Sequence, residues 1–180
     1  MILQSRALES VLVEFSNENT LNEFLKKRRR SLREILLDAG VTIGYLRWFA
    51  LRENLYLRFN NLDMSKFINK KTLTLNKNKF FDEVRRHSKH AHVTIDKMGR
   101  GLSDIENKKD DPWQISVGHD LVDILYLGLK RNFGGYNTKS LGVGALESSL
   151  RLAYNYSHFQ DTELFANMRE WEEKTGKRIL

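Results

Sequence analysis

The sequence predicts a mostly α-helical fold: a single compact helical domain over residues 1–180, with a small two-stranded β element. Apolar residues recur at three- and four-residue intervals along much of the chain, the spacing that gathers side chains on one face of a helix. The chain has one proline and no linker-like stretch rich in glycine, serine or proline. Its 180 residues are enough to bury one core. We place only a soft internal boundary, near residues 107–112.

The first half of the chain predicts three helices in succession. Residues 5–15 form the first and residues 41–54 the third. The second begins at a capping box, Thr20 with Glu23, in which each side chain satisfies a backbone N–H. Gly40 predicts its end, because glycine readily adopts the left-handed conformation found at helix C-termini.

Two short segments between the helices predict the β element. Residues 55–59 alternate apolar and cationic or polar side chains, as a half-exposed strand does. Residues 72–75 alternate threonine and leucine and predict a second strand. We expect the two to pair as a hairpin or a sheet edge.

The second half of the chain predicts a buried central helix over residues 118–133, which is apolar nearly all round. Before it, Asn76 is the expected N-cap of a helix. After it, we expect helices over residues 145–154 and residues 162–174, the last capped by Asp161.

The positive charge of the chain is concentrated in its first half. The formal net charge is +7, and residues 1–92 carry 18 Lys/Arg against 10 Asp/Glu, whereas residues 93–180 carry 12 against 13. A one-sided basic surface attracts polyanions, because binding to phosphates releases condensed counterions. Nucleic acid is therefore the expected partner, and acidic proteins and anionic lipid are the alternatives.

The residue composition favours a cytoplasmic protein. The chain has no cysteine, which excludes disulfides and thiolate metal sites. The N-terminal residues lack the apolar region of a signal peptide, and no run of about eighteen apolar residues could span a membrane. We therefore expect no membrane association.

The cations of the first half fall into two clusters that predict a nucleic-acid interface. One is a run of five inside the predicted second helix, which wraps more than one turn and so must mostly face solvent. The other follows the helix that Asn76 caps. The candidate nucleic-acid-binding residues are Lys26, Lys27, Arg28, Arg29, Arg30, Arg85, Arg86 and Lys89.

The second cluster also permits a catalytic interpretation. Arg85 or Arg86 together with His90 fits an Arg-x(3 to 5)-His pattern that resembles the motif of HEPN-type ribonucleases. In such a site a histidine moves the 2′-hydroxyl proton and an arginine steadies the phosphate, without a metal. The alternative is that these cations compensate the dipole at the helix C-terminus.

The sequence predicts no metal or cofactor. His87, His90 and His92 lie close together, but the cations around them would oppose a divalent ion. A two-metal nuclease needs grouped carboxylates, and the chain has no Asp-x-Asp pair. Asp120 and Asp123 lie at the start of the central helix, where acidic side chains offset its positive end.

The start of the central helix carries a further candidate motif, Gly118, His119 and Asp120. These residues could present backbone N–H groups and an imidazole to an anion or to a partner. His119 could equally cap the helix, or pair with Asp123 one turn later.

The motif and two further stretches, residues 2–9 and residues 146–154, resemble the latter two-thirds of the AriB-like family. That family is a domain of unknown function built onto a Toprim nuclease core, and it is the effector partner of an ABC-type ATPase in a bacterial anti-phage system. The Toprim metal-binding segments would precede Met1, so the resemblance implies a helical remainder without a metal site. It implies that Gly118, His119 and Asp120 are a family motif whose role is not defined.

Three functional hypotheses follow. The first is a nucleic-acid-facing accessory portion of a Toprim-type defence nuclease, inactive alone. The second is a metal-independent ribonuclease that uses Arg86 and His90. The third is an interaction module that docks a partner ATPase or Toprim subunit.

Overall fold

The helices form where apolar residues line one face and a polar side chain caps the first turn. The computed structural model describes residues 2–88, 92–106 and 110–179. Within these ranges the α-helices are α1 (Ala7–Phe15), α2 (Glu18–Arg28), α3 (Leu32–Arg52), α4 (Lys77–His87), α5 (Ile95–Glu106), α6 (Pro112–Ile115), α7 (Gly118–Gly128), α8 (Val143–Ala153), α9 (Tyr156–Gln160) and α10 (Glu163–Thr175). Short 3-10 turns occupy Ile2–Gln4, Met64–Lys66 and Tyr136–Thr138, and a π-helical turn, Leu129–Phe133, continues α7. The mostly α-helical class is therefore confirmed.

The predicted second helix is in fact interrupted at Arg29. Asn17, not Thr20, caps α2, because its side chain accepts a hydrogen bond from the Thr20 backbone N–H at 3.1 Å. Arg29 is left-handed, with φ 53°, and ends α2. A new capping box, Ser31 with Glu34, then starts α3. The run of cations from Lys26 to Arg30, predicted to lie in the middle of a helix, therefore spans the end of α2. The left-handed residue that ends the helix is an arginine and not the glycine that the sequence predicted.

α3 continues through Gly40, where the sequence predicted a helix end. A Cβ at Gly40 would lie 2.3 Å from Leu121 Cδ2, and a Cβ at Gly44 would lie 2.1 Å from the Ile115 backbone oxygen. Both separations are far inside van der Waals contact, so the two glycines serve close helix packing rather than a turn. α3 packs against α5, α6 and α7 and is the axis of the fold.

α7 and its π-helical turn form the central element, as predicted for residues 118–133. Leu121 and Leu125 are fully buried. α7 packs against α3 and α8, and the turn Leu129–Phe133 packs against α2. The central element therefore contacts both α3 and α2, and α2 is the helix that ends in Lys26, Lys27 and Arg28.

The predicted β element is not formed by the described residues. Residues 55–59 belong to no helix or strand, and their odd-numbered side chains pack on the core. The Leu57 backbone N–H donates to the Leu55 carbonyl at 2.8 Å, which closes a γ-turn at Tyr56. Among the described residues, no strand lies beside this segment. The Arg58 backbone N–H donates instead to the Ser88 hydroxyl at 2.7 Å. The alternation was real, but it reflects one face on the core rather than membership of a sheet.

The second predicted strand, residues 72–75, is bent. Leu73 has φ 57°, a left-handed conformation that breaks a strand. In the described residues its only sheet-like contact is an isolated bridge between Leu75 and Ile68. This segment is therefore a loop before α4.

The caps of the later helices follow the sequence closely. Asn76 caps α4 as predicted and accepts a hydrogen bond from the Lys79 N–H at 3.1 Å. Thr162 caps α10 and accepts from the Phe165 N–H at 3.1 Å, so the predicted cap at Asp161 was one residue early.

α5 is a helix that the sequence analysis did not identify. Met98, Leu102 and Ile105 are buried at helical spacing. Gly99 and Gly101 obscured the pattern, because glycine is a poor helix former. α5 is stable here because its apolar face packs on α3.

Side chains from both sides of the soft boundary near residues 107–112 share one core. Phe49, Leu102 and Leu121 all belong to a continuous cluster of buried apolar residues. Residues 107–109 lie outside the described ranges. Among the described helices, none combines the length and apolar content needed to cross a membrane.

We predict that Gly44→Ala destabilises the protein, by about 1–3 kcal/mol, because the added methyl meets rigid backbone at Ile115. Gly144→Ala is the matched control: it lies in α8 with nothing within 4 Å of a Cβ, so it should be neutral or stabilising. Urea denaturation of both variants measures the difference. Equal stability of the two would contradict the packing account.

Candidate nucleic-acid interface

Three segments distant in the sequence meet at the C-terminal end of α2. Arg28 Nη2 donates to the Lys71 carbonyl at 3.2 Å, and Asn132 Nδ2 donates to the Lys70 carbonyl at 2.7 Å. The loop before α4 is thereby tied to α2 on one side and to the π-helical turn on the other. We use the name basic surface for seven cations of these segments: Lys26, Lys27, Arg28, Arg29, Lys70, Lys71 and Arg131.

Apolar packing beneath the basic surface holds it together. The rings of Phe24 and Phe133 lie 5.3 Å apart, between α2 and the π-helical turn. The Asn17 backbone N–H donates to the Phe133 carbonyl at 2.8 Å. Buried contacts therefore bring the cations together, and like-charge repulsion is overcome by the core.

The basic surface is largely uncompensated by acids. Six of its seven cations are exposed, and Arg28 is half-buried. In the part of the chain that the structure describes, Lys27 alone among them has a carboxylate within ion-pair distance, Glu23 at 3.8 Å, and both side chains are exposed. An exposed pair of this kind contributes little. The cations of the basic surface are therefore available to bind phosphates.

Within the basic surface, the side chain of Arg28 is held in place by its neighbours. Its guanidinium lies over the Phe24 ring, 5.8 Å from the centroid, while Nη2 is held by the Lys71 carbonyl. Its Nε is buried without a hydrogen-bond partner. A guanidinium held in this way loses less freedom on binding than a free side chain would.

Arg30, predicted with this cluster, is engaged elsewhere. Both of its terminal nitrogens contact Asp38. The pair raises the pKa of Arg30, and the Asp38 side-chain hydrogen bond is its main cause. Arg30 therefore has a carboxylate partner on α3 and lies outside the basic surface.

The second predicted cluster, at the end of α4, is closer to neutral. Arg85 Nη2 lies 3.2 Å from Asp82. Arg86 contacts Glu83, a fully buried carboxylate that also binds Lys66 Nζ at 2.9 Å. Arg86 is therefore a counter-ion of a buried acid.

Two members of that cluster, Lys89 and His90, lie outside the described residues. The HEPN-like pairing of Arg86 with His90 stays a prediction. The one geometric fact that bears on it is the ion pair between Arg86 and Glu83.

At the start of α7, Asp120 proved to be a buried ion-pair partner rather than a surface charge. Arg47 Nη2 donates to its two carboxylate oxygens at 2.8 and 3.0 Å. Burial raises the pKa of Asp120, and the Arg47 guanidinium opposes that rise. The pair joins the middle of α3 to the first turn of α7.

His119 lies on a ridge between two clefts. Its Nδ1 is 3.4 Å from Asp123, the pairing predicted from their spacing, and its Nε2 is 3.4 Å from Glu147 on α8. A cleft of about 260 Å³, lined by Gly118 and Leu150 among others, lies on one side. A cleft of about 560 Å³, which contains Asp120 and Asp123, lies on the other. Gly118 itself has nothing within 4 Å of a Cβ position.

The carboxylate of Asp123 is poorly solvated. Burial is the main cause that raises its pKa; His119 opposes the rise, and the nearby acids Asp120 and Glu147 add to it. Over residues 2–88, 92–106 and 110–179, no group of three or more His, Asp or Glu is arranged to hold a metal ion.

Comparison with known proteins identifies no relative: neither a family model, nor a curated protein, nor a solved structure matches the chain. The resemblance to the AriB-like family therefore stays a prediction.

The sequence did not reveal some of the residues of the basic surface or the partner of Asp120. Lys70, Lys71 and Arg131 join the basic surface, and Arg47 is the partner of Asp120. Lys70 and Lys71 stand together in the sequence, which is a weak signal. No local pattern links Arg47 to a residue 73 positions later.

We predict that Arg47→Met lowers the free energy of unfolding by about 3 kcal/mol at pH 7, because it leaves the buried Asp120 carboxylate without its partner. The raised pKa of Asp120 means that protonation favours the folded state, so the loss should shrink as the pH falls through that pKa.

Urea denaturation at several pH values from 7 down to 3 measures both effects. A loss of stability that stays the same over this whole range would show that Asp120 carries no unpaired charge in the variant.

Proposed function

We propose that the chain is a helical nucleic-acid-binding domain that holds phosphates on the basic surface. The single observation that supports the proposal most is the convergence of α2, the loop at residues 69–72 and the π-helical turn, each bringing exposed cations to one place. Cations without acidic partners bind a polyanion favourably because counterions are released. Such contacts position a nucleic acid and carry no sequence information.

The proposal extends to the context of this binding. The resemblance of residues 2–9, 118–121 and 146–154 supports a role as the accessory portion of a Toprim-type anti-phage nuclease. In that role a Toprim subunit supplies the catalytic carboxylates and Mg²⁺, and the ridge at His119 is a docking site for it or for an ABC-type ATPase. A cytoplasmic location belongs to the same proposal.

Neutralising part of the basic surface should weaken binding and reduce its salt dependence. The test variant is Lys70→Gln/Lys71→Gln/Arg131→Gln. Each phosphate contact contributes about 0.9 to the slope of log affinity against log salt, so losing three should lower its magnitude by about 2–3. Fluorescence anisotropy with a 20-bp duplex at several salt concentrations measures the slope.

The matched control is Lys97→Gln/Arg100→Gln/Arg178→Gln, which removes the same charge from exposed positions elsewhere. It should retain most of the slope. If the two triple variants lose affinity and slope equally, binding reflects net charge alone and the basic surface is not a site.

The accessory role makes a second prediction. Nucleic-acid cleavage should appear only when this chain is mixed with a Toprim subunit and Mg²⁺, and EDTA should abolish it. Cleavage by this chain alone in EDTA, lost on His90→Ala, would contradict the accessory role and favour the HEPN-like ribonuclease.

A further inference from the structure

A second surface, at the C-terminal end of α3, exposes aromatic rings beside arginines. Trp48, Leu51 and Arg52 share one face of α3 at three- and four-residue spacing. The exposed fractions are 55% for Trp48, 77% for Leu51 and 87% for Tyr56, which follows the helix. Clustered apolar side chains of this size on a protein surface usually mark an interaction site.

The chain reverses after α3 and returns along the helix, so that Phe59 lies under the Arg47 guanidinium with 4.8 Å to the ring centroid. The Leu55 backbone N–H donates to the Ala50 carbonyl at 2.8 Å, and Asn54 adopts φ 51° to allow the turn. Leu55 and Leu57 then pack against the core, and Tyr56 and Arg58 between and after them are exposed to solvent. We call Trp48, Leu51, Arg52, Tyr56 and Arg58 the aromatic surface.

The charge of the aromatic surface is positive. No carboxylate of the described residues lies within ion-pair distance of Arg58, and Arg52 pairs with its neighbour Glu53 at 2.9 Å. The hydrogen bond from the Arg58 backbone to Ser88 sets this segment beside the end of α4, where Arg85 and Arg86 are paired with Asp82 and Glu83, so Arg58 supplies the uncompensated positive charge. Arginines beside exposed rings suit an anionic ligand that has flat, apolar faces.

We propose that the aromatic surface binds single-stranded nucleic acid, with bases stacked on Tyr56 and Trp48 and a phosphate on Arg58. This inference rests on the proposed function and adds the class of ligand. A single strand combines phosphates with accessible base faces, and stacking on protein rings tolerates any base. In a duplex the base faces already stack on one another, so a duplex would use the basic surface and not these rings.

The two surfaces can be tested separately because they lie far apart along α3. Leu32, at the start of α3, follows Arg29 of the basic surface by three residues, and Trp48 is 16 residues further along. At 1.5 Å per residue the separation is about 24 Å. A substitution on one surface therefore leaves the contacts of the other in place.

The experiment measures binding of a labelled 20-nucleotide oligothymidylate and of a 20-bp duplex by fluorescence anisotropy. Tyr56→Ala and Trp48→Ala should each weaken binding of the single strand by at least about fivefold, the lower end of what one stacked base contributes.

Tyr56→Phe keeps the ring and should bind like the unmodified protein. The matched control is Tyr136→Ala, an 82% exposed tyrosine outside both surfaces, which should change nothing. Thermal melting followed by circular dichroism verifies that each variant is folded.

The outcomes separate this inference from the proposed function. Duplex affinity should stay within about twofold in Tyr56→Ala, because phosphate contacts there are made by the basic surface. If the protein binds the duplex but Tyr56→Ala and Trp48→Ala bind the single strand normally, the inference is wrong and the proposed function stands. Self-association that Tyr56→Ala abolishes, with unchanged single-strand affinity, would assign the surface to a second copy of the chain. If neither nucleic acid binds, both proposals fail.

Discussion

The close approach of α3 to the segment that contains α6 and α7 is the constraint on which the rest of the structure depends. It is possible only because Gly40 and Gly44 lack side chains where Leu121 and the Ile115 backbone come within contact distance. The ion pair between Arg47 and Asp120 lies one turn further along α3 and sets the start of α7. With α7 in this orientation, the π-helical turn at its C-terminal end lies against α2.

The arrangement of charge at the surface follows from this packing. The π-helical turn at the end of α7 presses Phe133 against Phe24, and the neighbouring Asn132 binds the loop that carries Lys70 and Lys71. Apolar burial contributes about 25 cal/mol per Å², so packing of these elements outweighs the mutual repulsion of a few exposed cations. Near its other end α3 exposes the ring of Trp48, and Tyr56, which follows the helix, is exposed as well. The basic surface adjoins the start of α3, and the aromatic surface lies at its other end.

The sequence predicted the helical class and the central helix because apolar periodicity is a local property. It was wrong about Gly40, because a glycine that ends a helix and a glycine that permits close packing look alike without the neighbouring helix. It recognised the cations from Lys26 onward, yet it did not find their partners, because Arg28 and Lys71 are 43 positions apart and are joined only by the fold. The alternation of residues 55–59 was a true signal of one buried face, and only the absence of a paired strand among the described residues separates it from a sheet. The ion pair of Asp120 depends on burial, which local sequence does not report.

The most direct test of the central claim is a two-dimensional NMR titration with a short duplex, following backbone amides and arginine side chains. The account predicts that signals of α2 near Lys26, of the loop at Lys70 and of the turn at Arg131 shift together, with a single affinity. Arg30, paired with Asp38, should shift much less. Shifts confined to the clefts beside His119, or shifts of the three segments with unrelated affinities, would contradict it.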